Sequence, residues 1–163
     1  MPSAEAEATA VDSSVIVAAL LGWHRDHAVA RRLLDAGLES GNLLVPSRVL
    51  TESFSVLTRI PAPHRLAPRA AMELLTGTLS GATTIVDLPT GERWAFLDRM
   101  AEDGVAGGAV YDAEIIATAL RAGAQRLLTL NVRDFERLAP PDLKIGGPPT
   151  AGPQEQTPGA RPR

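Results

Sequence analysis

The sequence has no cysteine, few aromatic residues and almost no lysine. Without thiols it can form neither a disulfide nor a thiolate metal site, and a reducing cytosol is its natural environment. Lys144 is the only lysine among 16 basic residues, and 19 acidic residues bring the net charge to −3. This balance argues against nonspecific coating of nucleic acid, but not against a nuclease, whose catalytic carboxylates themselves lower the total charge.

Long apolar runs are also missing. The longest, Val15 to Leu21, falls far short of the roughly 20 residues that a membrane-spanning helix needs. The N-terminus carries Glu5 and Glu7 and lacks the basic segment of a secretory signal. The length of 163 residues and the apolar fraction of 45% are typical of one globular domain with a hydrophobic core. We therefore expect a cytoplasmic protein without membrane association.

Composition divides the chain into three parts. Residues 1–8 are rich in Ala and Glu and are expected to form a short disordered lead-in. Residues 146–163 are rich in Pro and Gly and lack apolar periodicity, which is typical of a flexible tail. The folded domain is therefore expected at residues 9–145.

Within that domain, short apolar runs alternate with amphipathic helical patterns. The runs predict strands at ATAV, LLVP, TTIVDL and RLLTL, with LKI as a possible fifth. The helical patterns begin at or near Ser14, His27, Ser47 (as a helix cap), Ala70, Glu92, Val110 and Asp134. Strands separated by helices indicate a three-layer α/β/α fold with a central parallel sheet of four to five strands.

Four acidic residues are expected at the carboxyl edge of this sheet, where open α/β folds bind ligands. Asp12 follows the first strand, and Glu52 lies about one turn into the helix after the second. Asp134 comes just after the fourth strand, and Asp112 lies in the first turn of the helix that precedes it. Four converging carboxylates repel one another unless a cation lies among them.

Oxygen ligands without histidine or cysteine suit Mg²⁺ or Mn²⁺ rather than zinc. A pair of such ions about 3.5–4 Å apart can activate water and stabilise the leaving oxygen of a phosphodiester. Such a reaction needs no covalent nucleophile, and the sequence offers no obvious one.

Each acid also has a structural interpretation. Asp12 could end a strand as a turn residue, and Glu52 could pair with Arg48 one helical turn earlier. Asp112 could serve the helix dipole. Asp134 could belong to a capping arrangement in which Asn131 is the N-cap residue.

Four segments, VDSSV, TESFSVLTR, YDAEIIATAL and LLTLNVRDFERL, resemble the four motifs of PIN-domain nucleases in order and spacing. They are most similar to those of the bacterial VapC-type toxins. The resemblance covers Ala10 to Ile145. It implies that an acidic quartet, consisting of Asp12, Glu52, Asp112 and, as its fourth member, Asp134, binds the metal. Ser14, Thr129 and Asn131 are implied as supporting polar residues.

The resemblance further implies a divalent-metal-dependent ribonuclease, a homodimer, and a VapB-type antitoxin that blocks the site. Two alternatives stay open: a catalytically silent PIN scaffold that binds RNA or protein, and a DxD-type phosphatase. The phosphatase would need an aspartate at position 14, where this sequence has Ser14. The three histidines are expected at the surface, and Trp23 and Trp94 at packing or dimer contacts.

Overall fold

Five short strands form one sheet in a computed structural model that describes residues 7–147. They are β1 (Thr9–Val11), β2 (Leu43–Pro46), β3 (Thr83–Val86), β4 (Arg126–Leu128) and β5 (Lys144–Gly146). All neighbours pair in parallel, in the order β3-β2-β1-β4-β5. The chain builds outward from β1 through β2 to β3 and then crosses to the other side of β1. The strand order therefore reverses between β1 and β4, which is where such sheets open a ligand crevice.

Seven α-helices connect these strands within the described part of the chain. They are α1 (Ser13–Leu20), α2 (His27–Glu39), α3 (Ser47–Arg59), α4 (Pro68–Leu79), α5 (Arg93–Glu102), α6 (Ala109–Arg121) and α7 (Val132–Leu138). A short 3₁₀ turn, Thr90–Glu92, precedes α5. The predicted α/β fold with a central parallel sheet is confirmed, and the sheet has five strands.

The core surrounds the central strands β1, β2 and β4. Ala10, Val11, Val45 and Leu127 have no solvent-accessible surface, as expected where helices cover both faces of a parallel sheet. Helix α1 is apolar on nearly all sides and packs against both α2 and α3. A second, smaller cluster around Phe96 and Met100 joins α5 to α6. This buried frame fixes the strand ends that carry the site.

The folded body extends slightly past the boundaries predicted from composition. Glu7, within the predicted lead-in, places its carboxylate 2.9 Å from Nζ of Lys144 and 3.4 Å from Nε of Arg126. Gly146, the first residue of the predicted tail, completes β5, and its carbonyl accepts a 2.9 Å hydrogen bond from the Thr129 N–H. The predictions for residues 1–6 and 148–163 lie outside the described residues.

Several predicted element ends shift by one or two residues. Helix α1 begins at Ser13 because Asp12 is its N-cap. The predicted cap of α3 is wrong: Pro46 holds that position, and the Ser47 hydroxyl instead donates to Asp87. None of the helices between residues 7 and 147 combines the length and apolar character needed to cross a bilayer.

Candidate active site

Asp12 is the buried anchor of the site. It directly follows β1, and only 3% of it is exposed. One carboxylate oxygen accepts hydrogen bonds from the Ser14 hydroxyl (2.6 Å), the Thr129 hydroxyl (3.0 Å) and the Ser14 backbone N–H (3.3 Å). These three hydrogen bonds give the Asp12 carboxyl group a fixed orientation at the sheet edge.

Ser14 and Thr129 tie this carboxylate to the end of β4. The Ser14 hydroxyl accepts from the Leu130 N–H at 3.0 Å, and the fully buried Thr129 hydroxyl accepts from the Asn131 N–H at 3.0 Å. Two backbone donors beyond β4 therefore orient the two hydroxyls that contact Asp12. Asn131 contributes here through its backbone, while its side chain lies at the surface.

The pKa of Asp112 responds to the charges of the other three acids. It lies half-buried in the first turn of α6. Burial and the charges of Asp12, Asp134 and Glu52, in that order, raise its pKa to about 6, while Arg137 acts in the opposite direction. Three segments distant in sequence thus bring the carboxylates of Asp12, Asp134 and Glu52 within electrostatic range of Asp112. A role for Asp112 in the helix dipole alone does not account for this arrangement.

Glu52 and Asp134 are both exposed to solvent. No described residue between 7 and 147 forms a hydrogen bond or ion pair with the Glu52 carboxylate. Asp134 contacts Arg137 at 3.4 Å. Asn131 is the N-cap residue of α7 and Asp134 lies in its first turn, as the capping alternative predicted, but the Asn131 side chain makes no capping hydrogen bond.

The sequence interpretation missed an ion-pair cluster beside the acids. Arg48, the expected partner of Glu52, instead lies 3.5 Å from Glu114 and 3.7 Å from the centre of the Tyr111 ring. Arg93 contacts the same Glu114 carboxylate at 2.8 Å. Asp112 and Glu114 are two residues apart on α6, so they point to nearly opposite sides of it. That spacing was the available signal that the two acids have different partners.

The chemistry of the four acids fits a hard divalent cation. Their mutual repulsion, seen in the raised pKa of Asp112, is what a cation would relieve. Within residues 7–147, no three carboxylate or imidazole groups are close enough to hold one ion as they stand. Mg²⁺ usually keeps several waters and binds through one or two carboxylates. Carboxylates that lie apart around a solvent-exposed crevice therefore suit this ion.

Comparisons with known proteins identify the family of this chain. A model of the PIN domain family matches residues 9–140. Ribonuclease VapC40 of Mycobacterium tuberculosis is 40% identical over 127 residues, which cover 78% of this chain and 89% of that protein. Ribonuclease VapC27 of the same organism is 34% identical over 124 residues, covering 76% and 85%.

Solved structures show the same fold. The crystal structure of VapC20 from Mycobacterium tuberculosis aligns with a TM-score of 0.59 at 19% identity, covering 73% of this chain and 86% of that one. VapBC from Salmonella typhimurium, solved with DNA, aligns with a TM-score of 0.59 at 18% identity, covering 85% and 96%. The chain therefore belongs to the PIN-domain family, and its identity to VapC40 and VapC27 places it with the VapC-type members.

Proposed function

We propose that this protein is a divalent-metal-dependent endoribonuclease that acts as the toxin of a toxin–antitoxin pair. The observation that carries the proposal is the electrostatic convergence of Asp12, Glu52, Asp112 and Asp134 on one sheet edge. A catalytically silent scaffold has no need for that repulsion, which disfavours the folded state. The printed names of the relatives, ribonucleases VapC40 and VapC27, support the reaction class.

Asp12, Glu52 and Asp112 are the proposed ligands, directly or through waters that the ion keeps, with Asp134 completing the set at the open side. Mg²⁺ is the expected ion, and Mn²⁺ has the same ligand preference. When bound, such an ion activates water and stabilises the leaving oxygen of a phosphodiester. Ser14 and Thr129 keep the Asp12 carboxylate aimed into the crevice through hydrogen bonds of 2.6 and 3.0 Å.

Metal dependence is tested directly on total cellular RNA. The purified protein is incubated with RNA and EDTA, and then with excess Mg²⁺ or Mn²⁺. We expect cleavage to stop in EDTA and to return with either ion, but not with Zn²⁺. Asp112→Asn, run in parallel, separates this activity from a contaminating nuclease. Undiminished cleavage in EDTA would contradict the proposal.

The proposed partner is a small VapB-type antitoxin that covers the acidic crevice. Structural neighbours include VapBC complexes from Rickettsia felis and Salmonella typhimurium. A guanidinium can pair with a carboxylate through two hydrogen bonds, so an arginine of the antitoxin would suit the acids. We further propose that the protein is a homodimer. We also propose that it acts in the cytoplasm, whose reducing conditions suit a chain without cysteine.

Co-expression with the adjacent upstream open reading frame tests the toxin role. We expect the protein to slow growth when expressed alone, and the upstream product to relieve this effect and co-purify with it. Absence of a complex would remove the toxin assignment and leave the nuclease assignment intact.

A further inference from the structure

A polar pocket of about 250 Å³ lies directly beside the acidic quartet. Ser14, which donates to Asp12, forms part of its wall together with Asn131. Val56, another wall residue, lies one helical turn after Glu52 on α3. The pocket therefore adjoins Asp12 through Ser14 and Glu52 through α3, although none of the four acids lines it. A strand held at the acids would pass into it.

Another part of the wall carries Arg25 together with Asp26, with which it forms an ion pair. Arg25 lies in the connection between α1 and α2, and its side chain is 90% exposed. Its Nε contacts Asp26 at 3.2 Å, and the two terminal nitrogens have no partner among residues 7–147. These two nitrogens are thus available for a phosphate, whose geometry a guanidinium matches.

His24 provides a second donor in the same wall. Its Nδ1 accepts a 3.1 Å hydrogen bond from the Asp26 backbone N–H. In the neutral ring the other nitrogen, Nε2, therefore carries the proton and can donate. Arg25 and His24 thus place hydrogen-bond donors next to the cluster of acids. The metal site would hold the group that is cleaved, whereas these donors suit a backbone phosphate beside it.

An exposed aromatic pair lies next to the pocket, beside its wall residue His24. Trp23 is 51% exposed and stacks on His64 with 4.4 Å between ring centres. Its ring centre is 6.3 Å from that of His24, which lines the pocket. Unpaired bases stack on aromatic rings of this kind. Because the indole is already held by His64, little side-chain freedom is lost on binding.

We infer that this pocket and the Trp23–His64 pair form a subsite for single-stranded RNA next to the cleaved bond. Arg25 and His24 would bind the backbone phosphate, and Trp23 would stack with the adjoining base. The inference rests on the RNA substrate proposed above. It adds the residues that would hold the strand beside the cleaved bond, and stacking on the indole requires an unpaired base.

Tryptophan fluorescence tests the stacking step, since the chain has only two tryptophans. The Trp94→Phe variant leaves Trp23 as the sole indole. Titration uses a mixed-sequence RNA of about 12 nucleotides, within the usual single-strand site sizes, with EDTA to prevent cleavage. We expect strong quenching in Trp94→Phe and none above background in Trp23→Phe. The same RNA annealed to its complement should quench weakly.

Affinity, followed by fluorescence anisotropy of labelled RNA, measures the contribution of each group. Trp23→Ala should weaken binding roughly ten-fold or more, whereas Trp23→Phe should largely restore it. Trp94→Ala is the matched control, because Trp94 is 82% exposed and outside the pocket. Arg25→Gln should lower the slope of log affinity against log salt by about 0.7. Arg121→Gln, at the opposite end of α6 from Asp112, should leave that slope unchanged.

The outcomes separate this inference from the proposed function. If the wild type cleaves RNA with Mg²⁺ but the Trp23 and Arg25 variants bind like their controls, the subsite is wrong and the nuclease stands. Duplex RNA that binds as tightly as single strands would also overturn the subsite. If RNA is never cleaved but quenching and the salt effect persist, the subsite stands and the nuclease assignment fails. Should Trp23→Ala not fold, the Arg25→Gln salt slope decides between these outcomes.

Discussion

The two sides of the acidic site are built very differently. On the strand side, Asp12 is buried and receives three hydrogen bonds from Ser14 and Thr129. On the helix side, Glu52 and Asp134 are exposed, and Asp112 is half-buried with a raised pKa. The fold thus supplies one fixed carboxylate, and Asp112 carries a pKa raised by burial and by the charges of the other three acids. The strand side is ordered by the protein, and a cation at the helix side would relieve the repulsion felt by Asp112.

The difference follows from the topology. The reversal of strand order between β1 and β4 leaves backbone N–H groups of Leu130 and Asn131 free of sheet pairing, and hydroxyls satisfy them. A buried carboxylate is tolerated there because every donor around it is already oriented. Glu52, Asp112 and Asp134 lie in the early turns of α3, α6 and α7 and are more exposed than Asp12.

The largest effect is expected from removing a charge from the acids. Asp12→Asn and Asp112→Asn keep size and shape but remove an anionic oxygen, which hard cations require. We expect both variants to lose all measurable cleavage at any Mg²⁺ concentration. Asp134→Asn should keep more residual activity, because Asp134 is exposed and already forms an ion pair with Arg137, 3.4 Å away. Initial rates across a Mg²⁺ titration measure this ranking.

Circular dichroism provides the folding control for all three variants. If Asp134→Asn is as inactive as Asp112→Asn at saturating metal, the ranking is wrong and the helix side acts as one unit. Normal cleavage by Asp112→Asn would remove the active-site assignment itself.

The second effect concerns the hydroxyl that orients Asp12. Thr129→Val preserves the buried shape but removes the 3.0 Å hydrogen bond to the carboxylate and the acceptor of the Asn131 N–H. Loss of such a supporting group typically lowers metal affinity or activity by about 10–100-fold. Leaving a buried donor unpaired also costs about 1–3 kcal/mol of stability. We expect both changes, measured as cleavage rate and as urea unfolding.

Thr118→Val is the matched control for that variant. Thr118 is also buried, but its hydroxyl donates to the Glu114 carbonyl within α6, at 2.8 Å. It should lose some stability and keep the wild-type rate. Equal rates for the two variants would mean that the strand side holds Asp12 without Thr129.

A third effect concerns the repulsion on the helix side. With a pKa of about 6 in the folded protein against an ordinary 3.8, Asp112 binds more protons in the folded state between those values. Stability of the metal-free protein should therefore fall as pH rises from about 4 to 6, and stay low above. Asp112→Asn should raise the Tm in EDTA at pH 7.5 by roughly 2–4 °C, taking about 1 kcal/mol after solvent screening.

At pH 4 the same substitution should change the Tm much less, because the folded carboxyl is then protonated and the unfolded one is only about half ionised. Adding Mg²⁺ at pH 7.5 should stabilise the wild type and not the variant. A variant that is less stable than the wild type in EDTA at pH 7.5 would show that Asp112 is not repelled by its neighbours.

Much of this arrangement could be predicted from the sequence, because it depends on strand ends. Asp12 directly follows an apolar run, and β4 is followed at once by Thr129 and Asn131, so their places at the edge follow from chain order. The partners of Arg48 could not be predicted. Glu52 and Glu114 both suit it chemically, and only the packing of α6 beside β2 decides between them. The Trp23–His64 stack likewise joins two loops that no local pattern connects.

The smallest effect tests how far the strand side extends toward the C-terminus. The Gly146 carbonyl accepts the 2.9 Å hydrogen bond from the Thr129 N–H, and Gly147 packs so closely on Thr129 and Val132 that a Cβ would collide with both. A chain ending at Ile145 should therefore lose about 1 kcal/mol, a fall in Tm of roughly 2–4 °C, with a modest loss of cleavage through Thr129. A chain ending at Gly147 keeps both contacts, so we expect wild-type Tm and activity.

Differential scanning calorimetry and cleavage rates on the two truncations and the full chain measure this difference. A loss in the longer truncation would mean that residues after 147 pack on the body or contact the substrate. Equal stability of both truncations would mean that the end of β5 does not support the residues that orient Asp12.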